Sequence, residues 1–191
     1  MGMSLKITPW RWWLAGALLW CFAEATFFFI VPDLLLTAAV LTLGLRRALR
    51  LALAGAAAAM AGGLVMYAWA ANDADAARTF LLGVPLIGED LMLRVHGEMD
   101  GLWPVDLTLG AITGAPFKIY AVEAGALGID PLLFALVAIG ARLARFSLAI
   151  GLTALGAALA ARLNLQRITP YGLALAWAAI YAFYAFTRLT A

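Results

Sequence analysis

Six ionisable residues stand in stretches that are otherwise apolar: Glu24, Asp33, Lys118, Glu123, Arg142 and Arg145. A charge within a bilayer is costly, so such residues pair with one another, line a watery cavity or meet a charged ligand. Carboxylates and cations together suit a polar or anionic group crossing an apolar barrier, with proton exchange at Glu24 or Asp33. Arg142 and Arg145 are i,i+3 neighbours, which puts them on one helical face, where they either bind an anion or snorkel to the inner headgroups. Asp33 directly follows Pro32, where it either serves chemistry or favours the positive end of a helix dipole. Lys118 lies two residues after Pro116, where a cation faces that same positive end and needs a carboxylate or an anionic ligand. Glu24 must be protonated or paired. Glu123 is the weaker candidate among the acids, and Asp106 reads as a wet residue near an outer entrance.

Other chemistries find little support. The single histidine, His96, sits in HGEMDG with no second His or Cys at a usual ligand spacing, so it reads as a solvated loop residue and no metal is expected. Cys21 is the only cysteine, so no internal disulfide can form. No Ser-His pairing, buried His or metal cluster can be assembled, which argues against an enzyme and implies no cofactor. The net charge of +2 is too small to argue for nucleic acid. The Met residues and Phe27-Phe28-Phe29 read as packing or lipid-facing groups.

The elements that position these residues follow from hydropathy. The chain is 65% hydrophobic and 13% charged, which is too little charge to cover a soluble domain of 191 residues. Several apolar runs approach the roughly 20 residues that cross a bilayer. A single integral membrane domain is expected. Lys6 and Arg11 before an apolar run and Ala23-Glu24-Ala25 resemble a cleavable signal, but the run is Trp-rich and apolar sequence continues beyond it. Trp20 before Cys21 is too bulky for a lipoprotein site.

Residues 12–44 are too short for two crossings and too long for one ordinary span. Lys6 and Arg11 precede them, and Arg46, Arg47 and Arg50 follow, so both ends are expected on the cytoplasmic side. The segment therefore reads as a re-entrant hairpin with Pro32 at its tip, since proline cannot continue one helix but suits the first turn of the next. Residues 51–70 read as a full span whose AGAAAAMAGG centre permits close packing. Residues 71–101, rich in Asp and Glu, read as an external loop, within which LLGVPLIGEDLMLRV is a weak candidate for lying along the interface.

Residues 102–130 read as a second re-entrant hairpin, broken at Gly114-Ala115-Pro116 with Pro116 at the tip. Asp130 and Pro131 form a helix start, with Asp as N-cap and Pro in the first turn. Residues 131–161 read as a span or long helix, and residues 169–186 as a last span. The expected fold is thus all-α: two opposed re-entrant helical hairpins plus transmembrane helices in an inverted repeat.

Glu24 with Pro32-Asp33, the small-residue span, GAPFKIYAVEAGALGI and IGARLARFSLAIG together resemble the DedA family, also called VTT or SNARE-associated-domain proteins, in its YqaA-like branch. The resemblance covers residues 20–160 or so. It implies a multi-pass protein of the bacterial inner membrane, opposed re-entrant hairpins, and translocation of an anionic lipid such as a polyprenyl phosphate or a phospholipid. It also implies membrane lipids as partners, and leaves homo-oligomerisation open. By that resemblance Glu24 and Asp33 match the family's acidic residues and Lys118 the basic residue after the second-hairpin proline. The arginine that much of the family carries before that proline is missing, and Arg142 or Arg145 would substitute for it. Two other functions stay open: a proton- or cation-coupled carrier of a small solute, and a membrane assembly protein whose buried charges are internal ion pairs.

Overall fold

The computed structural model describes residues 9–189; Lys6 lies outside them. The described residues form nine helices and no strand: α1 (Trp10–Glu24), α2 (Asp33–Leu43), α3 (Leu45–Asn72), α4 (Ala74–Leu82), α5 (Glu89–Met99), α6 (Trp103–Thr113), α7 (Phe117–Ala126), α8 (Pro131–Arg162) and α9 (Thr169–Leu189). At 1.5 Å per residue, α3 and α8 run about 42 and 48 Å, more than a hydrocarbon core of roughly 30 Å. Both are apolar enough to cross a membrane. Leu132, Leu136, Leu148, Leu152, Leu155 and Leu159 of α8 are all exposed, an apolar surface that water would not tolerate but lipid would. The architecture is consistent with a helical membrane protein.

Two shorter helix pairs accompany these long helices, and each is interrupted where the sequence places a proline. Pro32 precedes α2, whose first residue, Asp33, complements the helix dipole. Between α6 and α7 the chain turns at Gly114, whose φ of +96° is costly for a side chain with a Cβ, and resumes after Pro116. The packing is exchanged between the halves. α1 lies on α3 and α6 on α8, whereas α2 also reaches across to α8 and α7 reaches across to α3.

The small residues of α3 make this exchange possible. Ala52, Gly55, Ala56, Ala59, Gly62 and Gly63 are buried, so α1 and α7 approach the α3 backbone closely. At the α3/α7 crossing a Cβ on Gly125 would fall 2.9 Å from the Tyr67 carbonyl carbon, so only glycine fits without a shift. Nearby, Phe134 of α8 stacks on Phe117 and Tyr67.

Two expected segments differ in the structure. The helix expected at residues 51–70 begins at Leu45, because Arg46, Arg47 and Arg50 are good helix formers and extend α3. The expected loop at 71–101 contains α4 and α5: Asp73 caps α4 by accepting from the Ala76 N–H at 3.0 Å, and the Gly83–Gly88 interruption separates two short helices. LLGVPLIGEDLMLRV is accordingly split by a turn. Residues 147–161 continue α8 without a break, and its start has the expected cap, with the Leu133 N–H donating to Asp130 Oδ1 at 2.8 Å.

Candidate functional site between the helix breaks

The break between α1 and α2 exposes backbone groups that no helix satisfies, and a buried peptide group must find a partner. One side chain of α1 and two from distant parts of the chain supply them. Trp20 Nε1 donates to the Ile30 carbonyl at 2.8 Å, the Val31 N–H donates to the Tyr181 hydroxyl at 2.7 Å, and Lys118 Nζ donates to the Phe28 carbonyl at 3.0 Å. Lys118 belongs to the first turn of α7, so the two breaks meet at this bond.

Four of the sequence-derived site residues pair around this junction. Arg142 of α8 reaches Glu24 at the end of α1, with Nη2 2.8 Å from Oε2. Arg145, one turn on, contacts Asp33 at the start of α2: Nε lies 3.1 Å from Oδ2 and Nη2 also 3.1 Å from Oδ2. Its Nη1 donates to the Ala111 carbonyl of α6 at 2.6 Å. The two arginines therefore do not snorkel to headgroups; they reach inward and tie α8 to three other helices. Glu24, Asp33, Lys118 and Arg142 are 4%, 1%, 2% and 3% exposed.

The two ion pairs differ in quality. Arg145 forms aligned hydrogen bonds to Asp33, whereas the Arg142–Glu24 contact is close without being aligned. Glu24 Oε2, Arg142 Nε and Arg142 Nη2 therefore keep unused hydrogen-bonding capacity although buried. The Arg142 guanidinium instead lies over the Phe117 ring, 4.4 Å from its centroid. Buried polar groups are normally satisfied, so this is a place where a ligand or ordered water belongs.

Glu24, Lys118, Arg142 and Arg145 line a cavity of about 110 Å³, enough for several waters. Its far wall is α9, through Trp177, Ile180, Tyr181 and Tyr184. The turn between α4 and α5 supplies Val84, Pro85, Leu86 and Ile87. Asp33 contributes through Arg145. Counted as formal charges, Glu24 and Asp33 oppose Lys118, Arg142 and Arg145, which leaves one positive charge in excess in this cluster.

Glu123 lies elsewhere. It is 1% exposed and is held by Arg78 of α4, with Nε donating to Oε1 at 2.8 Å and Nη2 to Oε2 at 2.7 Å. His96 Nδ1 of α5 is 2.7 Å from the same Oε2, so this histidine is half-exposed but partnered rather than freely solvated. The hydrogen bond from Arg78 to Glu123 holds the guanidinium above its ordinary range. Arg78, Met92, Leu93, His96 and Glu123 line a second, open cavity of about 260 Å³. One turn before Glu123, the Tyr120 hydroxyl donates to Glu98 of α5 and also contacts the Asp106 carbonyl.

Sequence reasoning did not anticipate Trp20, Trp177, Tyr181 or Arg78. For α9 a signal was present: Trp177, Tyr181 and Tyr184 recur at i, i+4 and i+7, a single helical face carrying polar tips. Among the described residues no group of three or more His, Cys, Asp or Glu side chains is placed to hold a metal ion.

The chain matches no protein-family model, no curated protein and no solved structure.

Proposed function

We propose that this protein is a membrane transporter of the DedA type that carries the anionic headgroup of a lipid, such as a polyprenyl phosphate or a phospholipid, past a charged site near the membrane midplane. In this reading α1/α2 and α6/α7 are re-entrant hairpins entering from opposite faces, and the exchange of packing partners between α3 and α8 reflects an inverted repeat. Broken backbone at membrane depth is tolerated only beside protein or a watery cavity, and the junction at Lys118 and Phe28 meets that condition. The N-terminus is cytoplasmic and the membrane is the bacterial inner membrane.

The observation that carries the reading is the cavity's one excess positive charge beside unused Arg142 donors. A phosphate would accept from Arg142 Nε and Nη2 and from the ammonium protons of Lys118 not used on Phe28. Glu24, loosely held by Arg142, would take up a proton as the anion competes for that guanidinium. The expected result is a rise in the thermal stability of detergent-solubilised protein on adding a polyprenyl phosphate, but not the corresponding neutral polyprenol. Equal stabilisation by both lipids, or by neither, would remove the phosphate role.

A second reading is favoured by the aligned Arg145–Asp33 pair: the charges are internal ties of a membrane assembly protein that transports nothing. Exchanging the charges, Asp33→Arg with Arg145→Asp, would then preserve function.

A further inference from the structure

Leu86 occupies a backbone conformation that its side chain makes unfavourable. The Ile87 N–H donates to the Val84 carbonyl at 3.2 Å, closing a four-residue turn in which Pro85 is the second residue and Leu86, with φ +68°, the third. Proline fixes its own φ near −65°, so a positive φ at the next residue defines a type II turn. That third position calls for Gly or Asn, and a bulky residue there is an outlier. Gly83 and Gly88 flank the turn, yet the strained place itself holds leucine.

The location gives the leucine a purpose. Leu86 lines the charged cavity between the helix breaks, on the side formed by the α4–α5 connection. Val84 and Ile87 beside it are buried and root the turn, while Leu86 is only partly buried. The helices on either side are clamped to α7: α4 through Arg78 to Glu123, and α5 through His96 to Glu123 and Glu98 to Tyr120. The frame is thus fixed on both flanks, and the strained turn is its adjustable part. Strain held at one residue by an otherwise satisfied frame is a feature of gates and switches.

We propose that the Val84–Ile87 turn is the gate of the cavity and that Leu86 is the residue that closes it. Swinging Leu86 out relieves its backbone strain and uncovers Lys118, Arg142 and Glu24, while return of the side chain restores an apolar cover. The gate deepens the transport reading and gives it a controlled opening, but its existence is testable without any transport.

A reporter thiol decides it. In a Cys21→Ala background, Ala111→Cys places a thiol on the cavity wall, and its reaction with an anionic, water-soluble methanethiosulfonate is timed in detergent-solubilised protein. Leu86→Gly is expected to speed labelling about tenfold, the room available when the open form is a minor population, without lowering the melting temperature. Leu86→Asn, which also tolerates positive φ, repeats the test with a stiffer turn, and Leu86→Trp is expected to slow labelling. An unchanged rate in both Leu86→Gly and Leu86→Asn overturns the gate. Faster labelling in protein that moves no lipid would keep the gate and sink the transport reading alone.

Discussion

Lys118 Nζ and the Phe28 carbonyl, 3.0 Å apart, join the two helix breaks. The position explains a cation that helix electrostatics alone would reject. In the first turn of α7 it faces the positive end of the dipole, and it is held there by a carbonyl that the broken α1/α2 segment leaves without a helical partner. One bond thus stabilises the break and brings a cation to the cavity wall.

The Glu24–Arg142 pair is coupled in stability. Glu24→Gln leaves Arg142 buried without its carboxylate, beside the Phe117 and Phe146 rings, a loss of about 3–5 kcal/mol by the usual cost of breaking a buried pair. Glu24→Gln with Arg142→Gln is expected to recover most of it. Unfolding of both single variants and the double variant in detergent checks this, and losses that simply add would refute the coupling.

Gly125 sets the α3/α7 approach. Gly125→Ala is expected to cost about 1–3 kcal/mol, because the clash is with Tyr67 backbone that cannot rotate away. Gly140 has nothing within reach of an added Cβ, so Gly140→Ala serves as the control, with stability unchanged or raised. Equal melting temperatures for the two variants would contradict the crossing geometry.

Glu123 holds α4 and α5 in place. Glu123→Gln weakens its bonds to Arg78 and His96 and is expected to raise amide hydrogen exchange across Ala74–Leu82 and Glu89–Met99 while leaving α3 protected. Exchange measured by mass spectrometry reads this directly. Unaltered protection in both short helices would show that apolar contacts alone seat them.

Tyr181 anchors α9. Tyr181→Phe removes the acceptor for the half-buried Val31 N–H and is expected to cost about 1 kcal/mol, the low end of the penalty for an unsatisfied polar group. Trp177→Phe removes the companion bond to Thr37 and should cost less, since a hydroxyl can turn to another partner. Equal melting temperatures for wild type and Tyr181→Phe would show that α9 is held by other contacts.

Much of this architecture could be read from local chemistry. Pro32, Pro116 and the Asp130-Pro131 start act within a turn of their own position, so their effect on helix boundaries is visible in the sequence. The buried charges were visible as well, because an ionisable residue in an apolar run is unusual wherever it folds. Their partners were not. Arg145 meets Asp33 across 112 residues, and no spacing rule reaches that far. The pairing arises only once α2 crosses to α8. The acidic stretch after α3 hid two helices because Gly83, Pro85 and Gly88 suggest irregular chain, although they interrupt only the connection. Glu123 was underrated for a related reason: its partners, Arg78 and His96, lie on those two helices.

The central claim is that the Lys118–Arg142 cavity moves a lipid phosphate. The most direct test is translocation of a polyprenyl phosphate across proteoliposomes, comparing wild type with Lys118→Ala and Glu24→Gln at matched amounts of folded protein. The account predicts translocation by wild type and its loss in both variants. Translocation by Lys118→Ala at the wild-type rate would contradict it.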